Sequence, residues 1–202
     1  MNVGFLGGAF NPIHLGHIKM VELALEKTEI EKVLILPSGN PPHKRNLQKS
    51  FDYHRIEMLK LVSKEIARCE IELFEIENRE KITYTVKVLM ELKKKYFNDT
   101  FYFIMGGDSF MQLESWYRYK ELLKNYYCVV FSREGSFYED LVIRKKYYES
   151  EYNTKGIRLI DAQVPRVSSS DIRELVIKKM SLKNKVPDVV ERYIYDNNIY
   201  KL

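Results

Sequence analysis

Within eleven residues near the start of the chain, "GGAFNPIHLGH" (7–17), stand Gly7, Gly8, Pro12, His14, Gly16 and His17. An apolar run precedes them and an amphipathic segment follows, so they fall where a strand hands over to a helix. Gly7 and Gly8 let backbone amides approach a ligand with no Cβ in the way. The helix start beyond them offers free N–H groups and a positive dipole end to an anion. His14 and His17 are three apart and project to one side of a first helical turn. The pattern predicts a cradle for phosphate. Two plainer readings compete: half of a zinc site, for which no third ligand cluster is evident, or hydrogen-bonded structural histidines. Neither the G-x-G-x-x-G fingerprint nor the P-loop pattern is present.

A second group lies near the other end, in "VSSSDIRELV" (167–176). Any one of Ser168, Ser169 and Ser170 could cap the helix that the apolar spacing predicts, but a cap needs only one hydroxyl. With Arg173 one turn in, able to hold phosphate oxygens bidentately, the segment also reads as a second anion site. A third group, "FIMGGDSF" (103–110), ends an apolar run in Gly106-Gly107-Asp108-Ser109. Asp108 there could hold ribose hydroxyls. A hydrolase turn with Ser109 as nucleophile is opposed by Met111, which stands where G-x-S-x-G needs its last glycine, and by the lack of any histidine after His54.

The elements that must position these groups alternate along the chain. Apolar strand signals fall at 2–6, 32–37, 69–76, 100–105, 126–132 and 157–161. Helical spacing falls at 15–27, about 51–66, 85–96, around Trp116, and near 138–150. This alternation predicts an α/β chain with a mainly parallel sheet covered by helices on both faces. It reads as a single domain over 1–202 whose last part, from about 167, is helical; Pro187 suits a first helical position. Ligands in such sheets sit at the carboxyl ends of the strands. The unusual residues follow strand one, strand two ("SGNPPHK", 38–44), strand four and the last strand, and so share one rim.

Of the 202 residues 45% are hydrophobic and 30% charged, enough for a substantial core. The net charge of +5 is dispersed; the short runs at 93–95 and 144–146 read as solvated helix faces rather than a nucleic-acid surface. A modest positive field could also steer an anionic small substrate. No apolar run approaches a membrane span, and the first residues lack a secretion-signal pattern. Cys69 and Cys128 sit in apolar runs, as buried thiols would. The expectation is a cytoplasmic chain with no membrane partner.

Taken together these segments resemble a known family. "GGAFNPIHLGH" is similar to the signature of the HxGH nucleotidyltransferase superfamily and "SSSDIR" to its second phosphate motif. "PSGNPPHK", "TYT" opening a helix, "GGDSF" followed by Trp116 and Tyr117, and "VPDVVERYIYDNNIY" narrow the resemblance to the bacterial nicotinate-nucleotide adenylyltransferases, over the whole chain and in order. The resemblance implies a Rossmann-like, doubly wound fold and transfer of AMP from ATP to nicotinate mononucleotide, giving deamido-NAD and pyrophosphate. It further implies Mg²⁺ carried with ATP, with no dedicated protein metal site, and leaves a homo-oligomer open. Carried over by position, Gly8, Ala9, Phe10, His14, His17, Gly106, Asp108, Ser169, Ser170 and Arg173 would bind ATP, with His14, His17 and Arg173 catalytic. Asn40, His43 and Lys44 would receive the mononucleotide phosphate. Trp116 would stack on the pyridine ring, and backbone amides near Thr85 and Tyr117 would take its carboxylate; the plainer reading of Trp116 is a core aromatic. Ala9 and Asn11 depart from the usual Thr or Ser and Asp. Rival readings are a phosphopantetheine adenylyltransferase, which His14 opposes; a cytidylyltransferase, which would lack Trp116 and the C-terminal features; an acceptor preference for nicotinamide mononucleotide; and a non-catalytic nucleotide-binding module.

Overall fold

The computed structural model describes residues 1–40, 51–78, 84–134 and 138–201. Six strands form one sheet: β1 (Asn2–Gly8), β2 (Lys32–Pro37), β3 (Cys69–Ile71), β4 (Thr100–Gly106), β5 (Tyr127–Arg133) and β6 (Ile157–Val164). Their order is β3-β2-β1-β4-β5-β6, with every neighbouring pair parallel. The helices are α1 (Leu15–Lys27), α2 (Asp52–Ser63), α3 (Phe74–Glu77), α4 (Thr85–Lys95), α5 (Gly107–Met111), α6 (Tyr119–Asn125), α7 (Tyr138–Glu151), α8 (Ser169–Ile177) and α9 (Asp188–Asp196).

Alternation along the strands divides the core in two. Leu6 of β1 faces a cluster closed by Val21 and Ala24 of α1, Met58 and Leu59 of α2, Ile172 of α8 and Ile194 of α9. Val3 and Phe5 face the opposite cluster, closed by Leu89 of α4, Phe110 of α5, Leu122 of α6 and Tyr148 of α7. The sheet is therefore wound on both sides, as the sequence predicts. The chain works outward from β1 to β3 and returns to β4 on the far side of β1. This reversal leaves a crevice at the carboxyl ends of β1 and β4, the place where such sheets take ligands. Cys69 and Cys128 are buried thiols, their pKa values pushed up to about 11 and about 12, chiefly by burial. Among the described residues no helix is long and apolar enough to cross a membrane.

Two strands end three or more residues away from where the sequence predicts. The alternation of "CEIELFEI" predicts a strand over 69–76, but β3 stops at Ile71. The reason is Glu72, a buried carboxylate that accepts from the Phe74 N–H at 3.2 Å and so turns the chain into α3; its other oxygen accepts from Lys95 Nζ and the Tyr96 hydroxyl, each at 2.8 Å. β6 runs on to Val164, three residues past its expected end. There the register slips between Phe131↔Ile160 and Arg133↔Val164. Ser132 Oγ spans the irregularity, donating to Asp161 Oδ1 at 2.7 Å and accepting from the Ala162 N–H at 3.1 Å. That extension delivers Pro165 to the start of α1.

Candidate active site

The turn between β1 and α1 is held from three sides. Residues 9 and 10 leave the strand with Phe10 at φ 45°, a left-handed backbone that costs a non-glycine residue about 1 kcal/mol or more. The Phe10 ring is buried, so packing sustains that conformation. From the C-terminal side, Arg173 Nη1 donates to Asn11 O at 2.7 Å and Ser169 Oγ donates to Pro12 O at 2.8 Å. The Tyr200 hydroxyl donates to Asn11 Oδ1 at 2.6 Å. At Gly16 a Cβ would stand 3.2 Å from Pro165 O and 3.1 Å from His14 Nδ1. Glycine there lets the chain entering α8 lie against the first turn of α1. The two predicted anion sites are thus one structure, with the helix starts of α1 and α8 joined through Asn11 and Pro12.

The three serines divide their work. Ser168 is the cap of α8, its hydroxyl accepting from the Asp171 N–H at 3.1 Å. Ser169 holds the α1 turn, and Ser170 Oγ accepts from Arg173 Nη2 at 3.2 Å. One cap is enough, and the other two hydroxyls stand at the junction.

The histidines differ in environment. His14, at the N-cap of α1, is buried, with 4% exposure. Burial, and then the nearby Arg133 guanidinium, push its pKa down to about 4. It is neutral at physiological pH. His17 is half-buried, stacks on His14 with ring centroids 3.6 Å apart, and has Phe10 edge-on at 4.8 Å. Its Nδ1 accepts from the His14 N–H at 3.3 Å. That bond assigns the neutral ring's proton to Nε2, leaving Nε2–H as the donor.

Beside this junction a cleft of about 330 Å³ opens between β1, β2 and β4. Gly7, Gly8 and Ala9 form one wall, and Thr85, Trp116 and Tyr117 the other. Among the described residues, no atom beyond its chain neighbours lies within 4 Å of where a Gly7 Cβ would stand, so glycine there leaves room for a ligand. Trp116 is half-buried and meets Phe103 edge-on, with centroids 5.9 Å apart. It is partly a core residue and partly a cleft wall. The rings of Tyr84 and Tyr117 lie 4.4 Å apart, and this contact brings the start of α4 beside the segment after Trp116. Thr85 opens α4 with no side-chain cap among the described residues.

The predicted residues therefore fall into two groups. His14, His17, Ser169, Ser170 and Arg173 gather at the junction and lie outside the lining of the cleft; Thr85, Trp116 and Tyr117 line it, and Gly8 and Ala9 connect the two. Gly106 ends β4 and Asp108 lies in the first turn of α5, paired with Arg133 Nη1 at 2.9 Å. Asn40 stands three residues past β2. His43 and Lys44 lie outside the described residues. Sequence reasoning missed Arg133, although a basic residue at a strand end on this rim was visible in "FSREG". It also missed Tyr200 and the fully buried Arg55, which nothing local marks.

The cytidylyltransferase-like family matches residues 5–175. A Clostridium botulinum protein (strain Okra) named "probable nicotinate-nucleotide adenylyltransferase" is 37% identical over 201 residues, covering 100% of both chains. One of the same name from Clostridium novyi is 34% identical over 98% of both chains. The chain belongs to the nicotinate-nucleotide adenylyltransferase family. A Plasmodium falciparum nicotinic acid mononucleotide adenylyltransferase, solved in complex with NaAD, superposes with a TM-score of 0.77 over 98% of this chain and 97% of its own, at 20% identity; it shares the fold. Within this adenylyltransferase the departure at Asn11 is accommodated: its side-chain carbonyl takes the Tyr200 proton and its backbone carbonyl takes Arg173.

Proposed function

We infer that this chain transfers AMP from ATP to nicotinate mononucleotide, releasing pyrophosphate and forming deamido-NAD. The observation that carries the reading is the joined pair of helix starts at Asn11–Pro12, set beside an aromatic-walled cleft at the β1/β4 crevice. A triphosphate needs donors from two sides, and a pyridine ring needs a flat apolar wall next to them.

In this scheme His14, His17, Ser169, Ser170 and Arg173 hold the triphosphate with backbone amides of residues 8–10, and Gly106 and Asp108 contact the adenosine. Asn40, with His43 and Lys44, receives the mononucleotide phosphate. Trp116 packs on the pyridine, and amides near Thr85 and Tyr117 take its carboxylate. An oxygen of the mononucleotide phosphate attacks the α-phosphorus, and the bond to the bridging β-phosphate oxygen breaks, so pyrophosphate leaves without a covalent enzyme intermediate. Two anions must meet, so catalysis is positioning plus electrostatic stabilisation. His17 Nε2–H donates to a non-bridging α-phosphate oxygen as charge builds there. Neutral His14 keeps the His17 ring in place by stacking and through its N–H. Among the described residues no cluster of three metal-ligating side chains is placed to hold an ion, and we assign Mg²⁺ to the nucleotide, where it neutralises phosphate charge. The buried thiols support a cytoplasmic setting.

The test is Mg²⁺-dependent pyrophosphate release from ATP, with nicotinate and nicotinamide mononucleotides assayed in parallel. A strong preference for nicotinate supports both the reaction and the amide-lined carboxylate pocket. Comparable rates keep the reaction and remove that pocket. No release with either, in protein that binds ATP, overturns the reading in favour of another acceptor or a non-catalytic nucleotide-binding module.

A further inference from the structure

Arg55 lies on α2, outside every motif considered so far, and is 0% exposed. Its Nη1 donates to Ala9 O at 2.8 Å and its Nη2 to Ser38 O at 2.7 Å. Asp52, one helical turn back, pairs with the guanidinium at 3.1 Å. Ala9 is the first residue after β1 and Ser38 the first after β2, and both line the cleft. The same two exits are also joined by the Ser38 N–H donating to Gly8 O at 2.8 Å.

We propose that Arg55 is a positioning residue that sets the ATP-phosphate turn after β1 and the exit of β2 at Ser38 at a fixed separation, with the Ala9 and Ser38 carbonyls turned inward onto its guanidinium. The physical case has three parts. A trans peptide carries its N–H opposite its C=O. Drawing Ala9 O onto Arg55 therefore sends the Phe10 N–H the other way, toward the substrate side. Drawing Ser38 O inward likewise turns the Gly39 N–H away from Arg55, and it donates to Oε2 of the cleft-lining Glu75 at 3.4 Å. Second, carbonyl dipoles turned into the cleft would repel phosphate, and the cation beneath holds them out of it. Third, one guanidinium reaches both exits because its fork carries two donors in a fixed plane; a lysine offers a single point and cannot hold both carbonyls in that geometry.

This proposal rests on the adenylyltransferase reading. The experiment compares the unmodified protein with Arg55→Lys, Arg55→Met and Asp52→Asn. It measures pyrophosphate release for kcat and both KM values, ATP binding by calorimetry without a mononucleotide, and thermal melting. The expected result for folded Arg55→Lys is a rise of about tenfold in both KM values together, with ATP affinity weakened by about the same factor, the usual scale for losing a charged hydrogen bond. Arg55→Met should lose more and Asp52→Asn less. A merely structural role would lower the melting temperature and the active fraction, hence the apparent kcat, and leave both KM values unchanged; that outcome overturns the proposal. So does a rise in one KM alone. If Arg55→Met does not fold, the lysine and asparagine variants decide. If the unmodified protein binds ATP but turns over neither mononucleotide, the function reading fails, and the ratio of ATP affinities still decides the clamp. No ATP binding by the unmodified protein overturns both.

Discussion

The junction at Asn11–Pro12 and the cleft beside it are built on opposite principles. At the junction, polar side chains are spent on holding the turn: Arg173 and Ser169 end on the backbone carbonyls of Asn11 and Pro12, and Tyr200 ends on the Asn11 side chain. In the cleft, side chains such as Trp116 and Tyr117 form the walls, and the proposed scheme leaves polar recognition to main-chain groups at Gly8, Thr85 and Tyr117. The contrast matches what each would hold in the proposed scheme. A triphosphate is flexible and highly charged, so its donors must be fixed in advance. A pyridine ring is rigid and flat, and needs only a slot of the right width with a few donors.

Substitutions can break this contrast, and the largest effect falls on the junction. His17→Ala removes the proposed Nε2–H donor and should lower kcat by about 10²–10³, the range for losing one oxyanion donor; pyrophosphate release checks it, and an unchanged kcat removes the role. His14 gives the next largest effect, on stability. Its pKa is about 4 in the folded chain against 6.5 unfolded, so between those values the unfolded chain binds more protons. Stability should be full above pH 6.5 and fall by up to about 3 kcal/mol as pH drops to 4. Urea unfolding at several pH values checks this, and His14→Gln should flatten that part of the slope. Arg173→Ala should raise the ATP KM by about 10-fold or more, because a charged hydrogen bond is lost, with the mononucleotide KM less affected; equal rises would mean that junction and cleft are not separate. The smallest effects belong to the cleft. Gly7→Ala fills open space, so melting should be unchanged while the mononucleotide KM rises a few-fold, on the order of 1 kcal/mol. Trp116→Ala should do likewise with some loss of stability, since its edge contact with Phe103 is worth about 1 kcal/mol.

The same division sets what could be read from the sequence. Local chemical choices were legible: glycines and histidines at a strand-to-helix handover, serines before an amphipathic helix, and an aspartate at a strand end each constrain their own neighbourhood. The alternation of strands and helices gave the layers for the same reason. Contacts made by a side chain to distant backbone left no trace. Arg55 is one more charged residue in "DYHRIEML", because both of its carbonyl partners come from loops elsewhere in the chain. Glu72 misled for a related reason. Its place in the alternating pattern of "CEIELFEI" reads as a solvent-facing strand position, yet its carboxylate is buried and ends the strand. Three serines in a row were legible as a surplus, but not which one caps; the hydrogen bonds assign that to Ser168.

The reach of the junction's hydrogen bonds bears on how the molecule is made. Ser169 meets Pro12 across 157 positions, Arg173 meets Asn11 across 162, and Tyr200 meets Asn11 across 189. During synthesis the first strand and turn emerge more than 150 residues before the side chains that pin the turn. A nascent chain that has completed five strands still has Asn11 and Pro12 unsecured, and closing such a span is the slow, entropically costly kind of contact. Nucleotide-binding competence should therefore arrive only once residues 169–200 have emerged and not gradually, and ATP captured by stalled chains of increasing length would show it as a single step.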